Sequence, residues 1–209
     1  MQAANADTIV LEPARPVEPE QVAELMIATD PHIFGALHGH DHALAVRHLA
    51  HQWQQPRGLF SHVHCTAAMH DGALAGIALG FDRATQAADT GPMMEQAVAV
   101  LTEDQIGTLI GFLEYGSYAL PPVPEDAWYL QNLATAESAR GRGIGDRLLQ
   151  HCFEQARSAG LGRVHLDVYE GNPAIRLYER AGMKTIVETR VLPLEAKGFP
   201  LHLRMEIRL

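Results

Sequence analysis

Apolar positions along the chain recur with two spacings, and the spacings divide it into strands and helices. "TIVLEP" at Thr8 to Pro13 predicts a short first strand, and Val22, Leu25 and Met26 predict a helix over 17–29 entered through Pro19. Asp41 is placed to cap a helix that carries Ala43, Val46, Leu49 and Trp53. "HVHCTAAMHDGALAGIALGF" predicts strands at 61–69 and 73–81, turned by Asp71-Gly72. Between 83 and 124 the pattern breaks. "RATQAADTGPMM" reads as a loop, followed by one or two helices. Thr102-Glu103-Asp104-Gln105 forms a capping box for the second, and Pro121, Pro122 and Pro124 stop it. "AWYLQNLAT" at 127–135 predicts a strand. Ile144, Leu148, Leu149, Cys152, Phe153 and Ala156 then recur at helical spacing until Gly160. "RVHLDVY" alternates as a strand over 163–169, a short helix covers 173–181, and strands near 184–191 and 201–208 close the chain.

This order predicts a single α+β (mixed α/β) domain over 1–209, with a helical or loop insertion at about 83–124. Its centre is a mostly antiparallel, twisted sheet of about seven strands flanked by helices. The β–α–β unit at 127–169 requires one parallel, right-handed strand pair.

Composition narrows the class. Among 209 residues 47% are hydrophobic, enough to bury a large core. The formal net charge of −9 argues against a nucleic-acid surface. Cys65 and Cys152 are the only cysteines, so a disulfide framework is not expected and a reducing cytoplasm is. The opening "MQAANADTIV" lacks a leader pattern and no apolar run is long enough to span a bilayer, so no membrane partner is expected.

The densest chemical signal is "SARGRGIGDRLL" at 138–149, placed between the strand at 127–135 and the helix from Ile144. Glycines let a backbone turn its amides onto a ligand, the helix start adds unpaired N–H groups and positive dipole, and Arg140 and Arg142 add charge. The combination suits a phosphate or pyrophosphate. A Walker loop fails because Asp146-Arg147 follow Gly145, and a dinucleotide fingerprint fails at Asp146. A Q/R-x-x-G-x-G/A loop for the pyrophosphate of coenzyme A fits Arg140-Gly141-Arg142-Gly143-Ile144-Gly145. A glycine-rich turn without a ligand is the plain alternative.

"LATAESARGRGIGDRLL" and "GNPAIRLYERAGM" together resemble the two signatures of the GNAT acetyltransferase superfamily, in the right order. Thr135 and Glu137 stand where the family often has Val and Pro, and the Asn172–Tyr178 interval is one residue shorter than in many members. The resemblance implies a strand pair, 130–135 and 163–169, that splays to admit the pantetheine arm. Leu133, Ala134 and Thr135 would line that arm. Arg140, Gly141, Arg142, Gly143, Ile144 and Gly145 would hold the pyrophosphate, and Asn172 would both cap the helix at 173–181 and contact the coenzyme. The reaction implied is direct acyl transfer from acetyl-CoA, or another acyl-CoA, to an amine, without a metal. Tyr178 is the implied general acid for the leaving thiolate, with core packing as the plain alternative. Gln131 and Asn132 occupy positions where some members carry a basic glutamate. Glu114, in the insertion, therefore ranks ahead of His165 and Glu170 as the base. His38, His40, His42, His48 and His51 match no zinc spacing, and His38 to His42 read as an exposed lead-in to a helix.

The expected acceptor is a small-molecule primary amine, and the expected assembly includes a possible homodimer. A protein or peptide N-acetyltransferase is the enzyme alternative. A non-catalytic acyl-CoA sensor is the other, kept open by the missing glutamate near Gln131.

Overall fold

The computed structural model describes residues 8–120 and 122–209; Pro121, one of the expected helix stops, lies outside the described residues. Strands β1 (Ile9–Pro13), β2 (Cys65–His70), β3 (Ala73–Asp82), β4 (Ala127–Thr135), β5 (Arg163–Tyr169), β6 (Lys184–Thr189) and β7 (His202–Arg208) form one sheet. Their order is β1-β2-β3-β4-β5-β7-β6. Every pairing is antiparallel except β4 with β5.

Helices cover both faces, which explains why "ALAGIALGF" is a near-continuous apolar run rather than an alternating one. Against one face packs α6 (Ile144–Ser158). It buries Ile144, Leu148, Leu149, Cys152, Phe153 and Ala156 on Ala68, Ala78, Leu130, Val164 and Leu166. Gly76 on β3 permits this contact, since a Cβ there would come within 2.7 Å of the Ala134 carbonyl oxygen and 3.1 Å of Ile144 and Leu148. Against the other face lie α1 (Pro19–Thr29), α2 (Pro31–Leu37) and α3 (His42–Trp53), which pack on Ile77, Leu79, Phe81 and Tyr129.

Three local readings change. The expected loop at 83–94 is the first part of a continuous helix, α4 (Arg83–Val100). The Asp82 carboxylate accepts from the Thr85 amide at 2.7 Å and starts it. Pro92 cannot bond the Ala88 carbonyl inside that helix, but the Arg57 guanidinium takes this carbonyl instead, at 3.1 Å. A contact from a distant segment therefore repairs the break that Gly91-Pro92 writes into the sequence. Second, α2 was not expected: Asp30 caps it through the amides of His32 and Ile33, and Pro31 occupies its first turn. Third, α2 carries His38 inward, so His38 is buried rather than part of an exposed lead-in. The second insertion helix, α5 (Glu103–Ala119), has the expected capping box, and a single turn, α8 (Leu192–Glu195), precedes β7.

Candidate active site

The parallel ladder between β4 and β5 is short. It pairs Ala127 with Arg163, Trp128 with Val164 and Tyr129 with His165, and goes no further. On its other edge β4 stays paired with β3 up to Thr135, through a bulge that leaves Gln131 without an opposite residue. Beyond Tyr129 the β5-facing edge of β4 thus has no strand on it, and a cavity of about 660 Å³ opens there. Leu133, Ala134 and Thr135 from β4, Leu166 to Val168 from β5, and Asn172 and Tyr178 line it. Strand-edge amides and carbonyls are what an extended polar chain needs for pairing.

At one end of the cavity the chain leaves β4 for α6, and Arg140 and Gly145 lie on the wall. Gly141 and Gly143 hold φ of +78° and +74°, a left-handed backbone that favours glycine. Gly143 is the N-cap, and no side chain caps the helix. The first bond of α6 runs from the Arg147 amide to the Gly143 carbonyl, so the preceding amides have no helical partner. A Cβ added at Gly141 or Gly143 would meet nothing within 4 Å, so the cradle is open to a ligand. These residues fit a pyrophosphate: helix-start amides outside the helical hydrogen-bond ladder, a helix dipole and neighbouring guanidinium groups.

Tyr178 sits in α7 (Ile175–Arg180), buried against the α6 side of the sheet, and is one of the residues lining the cavity. Burial, with the nearby Cys152, drives its phenol well above the usual tyrosine range, so it keeps its proton at neutral pH. Asn172 is engaged within the protein: its Nδ2 donates to the Thr29 carbonyl at 3.1 Å and its Oδ1 accepts from the Ala174 amide at 2.9 Å. Asn132 also reaches Thr29, through the hydroxyl, at 2.8 Å.

Glu114 is not brought to the cavity. The wall formed by α5 consists of Leu109, Phe112, Leu113, Gly116 and Ser117, and Glu114 is exposed on another side of the helix. The helical period that places Phe112 and Gly116 inward turns position 114 outward. Nor do His165 and Glu170 line the cavity; His165 is buried with Glu206 at 3.0 Å. Two buried polar contacts were missed in the sequence. Arg204 on β7 grips Asp167 with Nε at 2.8 Å, and Tyr129 donates to the same carboxylate at 3.0 Å. Asp30 lies 2.7 Å from His202. Asp167 and Tyr169 on one strand face, opposite the apolar positions, were the visible trace of the first.

The profile of the Acetyltransferase (GNAT) family matches residues 39–183. The chain belongs to the GNAT family. GNAT acetyltransferases use an acyl-CoA, typically acetyl-CoA, and act on amine acceptors. Over 62 residues it is 42% identical to GCN5-related N-acetyltransferase 6, chloroplastic, from Arabidopsis thaliana, a match spanning 29% of this chain and 21% of that relative. Solved GNAT structures share the fold across nearly the whole length. An N-acetyltransferase from Staphylococcus aureus Mu50 superposes with a TM-score of 0.69 at 17% identity, covering 95% of this chain and 100% of the other. A mosquito arylalkylamine N-acetyltransferase-like 5b protein gives 0.57 at 22% identity, covering 97% and 100%. Among the described residues no helix is long and apolar enough to cross a membrane, and no group of three or more His, Cys, Asp or Glu residues is placed to hold a metal ion.

Proposed function

We propose that the chain, insertion included, is one acyltransferase unit that moves an acetyl group from acetyl-CoA to the primary amine of a small molecule. The observation that carries this is the parting of β4 and β5 after Tyr129 and His165, which opens a cavity ending at the uncapped start of α6. The pyrophosphate lies on the amides of 142–145, and the pantetheine arm pairs with the open edge at Leu133 to Thr135. The thioester supplies an activated acyl carbon and a good leaving group.

The amine attacks that carbon, and the main-chain edge near Leu133 steadies the developing oxyanion, a contribution worth about 3–4 kcal/mol in other enzymes. Tyr178 gives its proton to the departing sulfur. The roof over the cavity, built by α4 and α5 with Met93, Ala97, Phe112 and Leu113, favours a small acceptor over a protein terminus. Structural relatives named agmatine N-acetyltransferase and arylalkylamine N-acetyltransferase-like 5b carry amines of that size in their names. Mixing the protein with acetyl-CoA and a panel of primary amines tests the reading through release of free thiol. Amine-dependent release is expected. Acetyl-CoA binding without release from any amine points to a sensor instead.

A further inference from the structure

Among the described residues the cavity wall carries two carboxyl side chains, Asp30 and Asp167. They differ in reach and in free capacity. The Asp167 side chain is 3% exposed, and Arg204 and Tyr129 hold its oxygens. The Asp30 side chain is 13% exposed. Its Oδ1 accepts from the amides of His32 and Ile33, at 3.1 and 3.0 Å, and its Oδ2 faces His202 Nε2 at 2.7 Å. A carboxyl group offers about four lone-pair sites, shared between its two oxygens. Oδ2 therefore keeps an open acceptor site, on a side chain whose orientation these contacts fix.

Asp30 also stands beside the gap between β4 and β5. Thr29, its neighbour in the chain, accepts through its hydroxyl from Asn132 Nδ2 at 2.8 Å, and through its carbonyl from Asn172 Nδ2 at 3.1 Å. Asn132 adjoins Leu133 in the stretch of β4 that has no β5 partner, and Asn172 leads into the helix that carries Tyr178. Burial first, with Asp167 and then Asp30 adding to it, pushes the Tyr129 phenol well above its usual range. Tyr129 is the last β4 residue paired with β5, so the influence of Asp30 on it agrees with that placement.

From Asp30 the cavity runs along α2 into an apolar compartment. Ile33 and Leu37 stand one turn apart on one face of α2. They pack with Phe112 of α5, and Leu37 meets the clusters of Met93 and Ala97 from α4. All five line the cavity, as does Leu113. This compartment offers no carboxyl group, so a second ammonium on a substrate would be buried there without a counter-charge. An alkyl or aryl body, in contrast, gains by leaving water.

Resting on the reading of the chain as an amine acetyltransferase, we propose that its acceptor is an apolar monoamine, whose nitrogen donates to Asp30 Oδ2 while its hydrocarbon body fills the compartment between α2, α4 and α5. Asp30 receives one amine, and the apolar walls reject a second.

The test uses the full chain, acetyl-CoA and the straight-chain amines from ethylamine to hexylamine, with putrescine as the diamine control. In the wild type kcat/KM is expected to rise about fourfold per added methylene, the worth of burying each one, and hexylamine should exceed putrescine by at least a hundredfold. A flat series, or putrescine preferred, overturns the proposal while leaving the acetyltransferase reading intact. Asp30→Asn keeps a capping side chain for α2 and replaces one carboxyl oxygen. It is expected to lower kcat/KM for hexylamine at least tenfold, with the acetyl-CoA Kd unchanged. Wild-type rates in that variant overturn the role of Asp30. Where the variant folds poorly, ¹³C spectra of the wild type decide: with coenzyme A bound, the Asp30 carboxyl resonance should move when hexylamine is added, and an unmoved resonance overturns the contact. A wild type that acetylates no amine overturns both readings.

Discussion

Asn132, at the bulge of β4, donates its side-chain amide to the hydroxyl of Thr29, the last residue of α1, at 2.8 Å. The hydroxyl passes its own proton to the Met26 carbonyl at 2.7 Å, so one small side chain ties the floor of the cavity to the helix above it. Thr29→Val removes both bonds while keeping the shape. Because Asn132 Oδ1 is already unpaired, its whole carboxamide loses contact. The expected loss is about 1–3 kcal/mol, read as a lower Tm. Thr29→Ser should restore most of it.

Arg204 and Asp167 are buried together, each with a side chain 3% exposed. Burial favours the neutral guanidine, but the carboxylate outweighs it and raises the Arg204 pKa. Removing one partner strands the other charge, so Arg204→Met should cost about 3–5 kcal/mol in urea unfolding. The double variant Arg204→Met/Asp167→Leu should recover much of that loss. Equal instability in the double variant would show that the shape of the pair, rather than its charge, is what matters.

Gly143→Glu should abolish measurable acetyl-CoA binding in calorimetry. It places a carboxylate where the pyrophosphate belongs, at a φ of +74° that a side chain adopts only with strain. The space around that Cβ is open, so the fold should persist and the loss should be confined to the site. Unchanged affinity would reject the cradle.

Tyr178→Phe should lower kcat far more than acetyl-CoA affinity, since it removes a proton donor and leaves the packed ring. Turnover equal to wild type would reduce Tyr178 to a core residue.

Stability should fall on mild acidification. His38, His48 and His165 all have folded pKa values below the usual 6.5, first of all through burial. A folded value below the unfolded one means that the unfolded chain binds more protons in the interval between them. Stability from these groups is therefore full above about 6.5 and is lost as pH falls, down to about 4 for His48. Thermal melts from pH 7 to 4.5 should show a declining Tm, with a shallower decline in His48→Gln.

The elements with strong local signals were legible in order and near their observed bounds. The capping box at Thr102, the Asp71-Gly72 turn and the apolar face of α6 each encode structure within a few residues. So was the glycine loop, because its backbone demand is local. The α4 helix was not legible, since Gly91-Pro92 argues locally for a break and Arg57 supplies the missing donor from outside. The outward turn of Glu114 depends on how α5 is rotated against the cavity. The burial of His38 depends on α2, whose Asp30-Pro31 start was the overlooked cue.

By itself the sequence determined the strand and helix order, the parallel crossover and the glycine turns ahead of α6, since these follow from apolar spacing and backbone freedom over short stretches. Only the tertiary structure decided where β4 and β5 separate, which partners the buried carboxylates find, and that His38 and His48 meet. Those outcomes join residues far apart in the chain, as with Asp30 and His202, 172 positions apart. A hydrogen bond or ion pair between such residues exists only once packing has brought them together and excluded water.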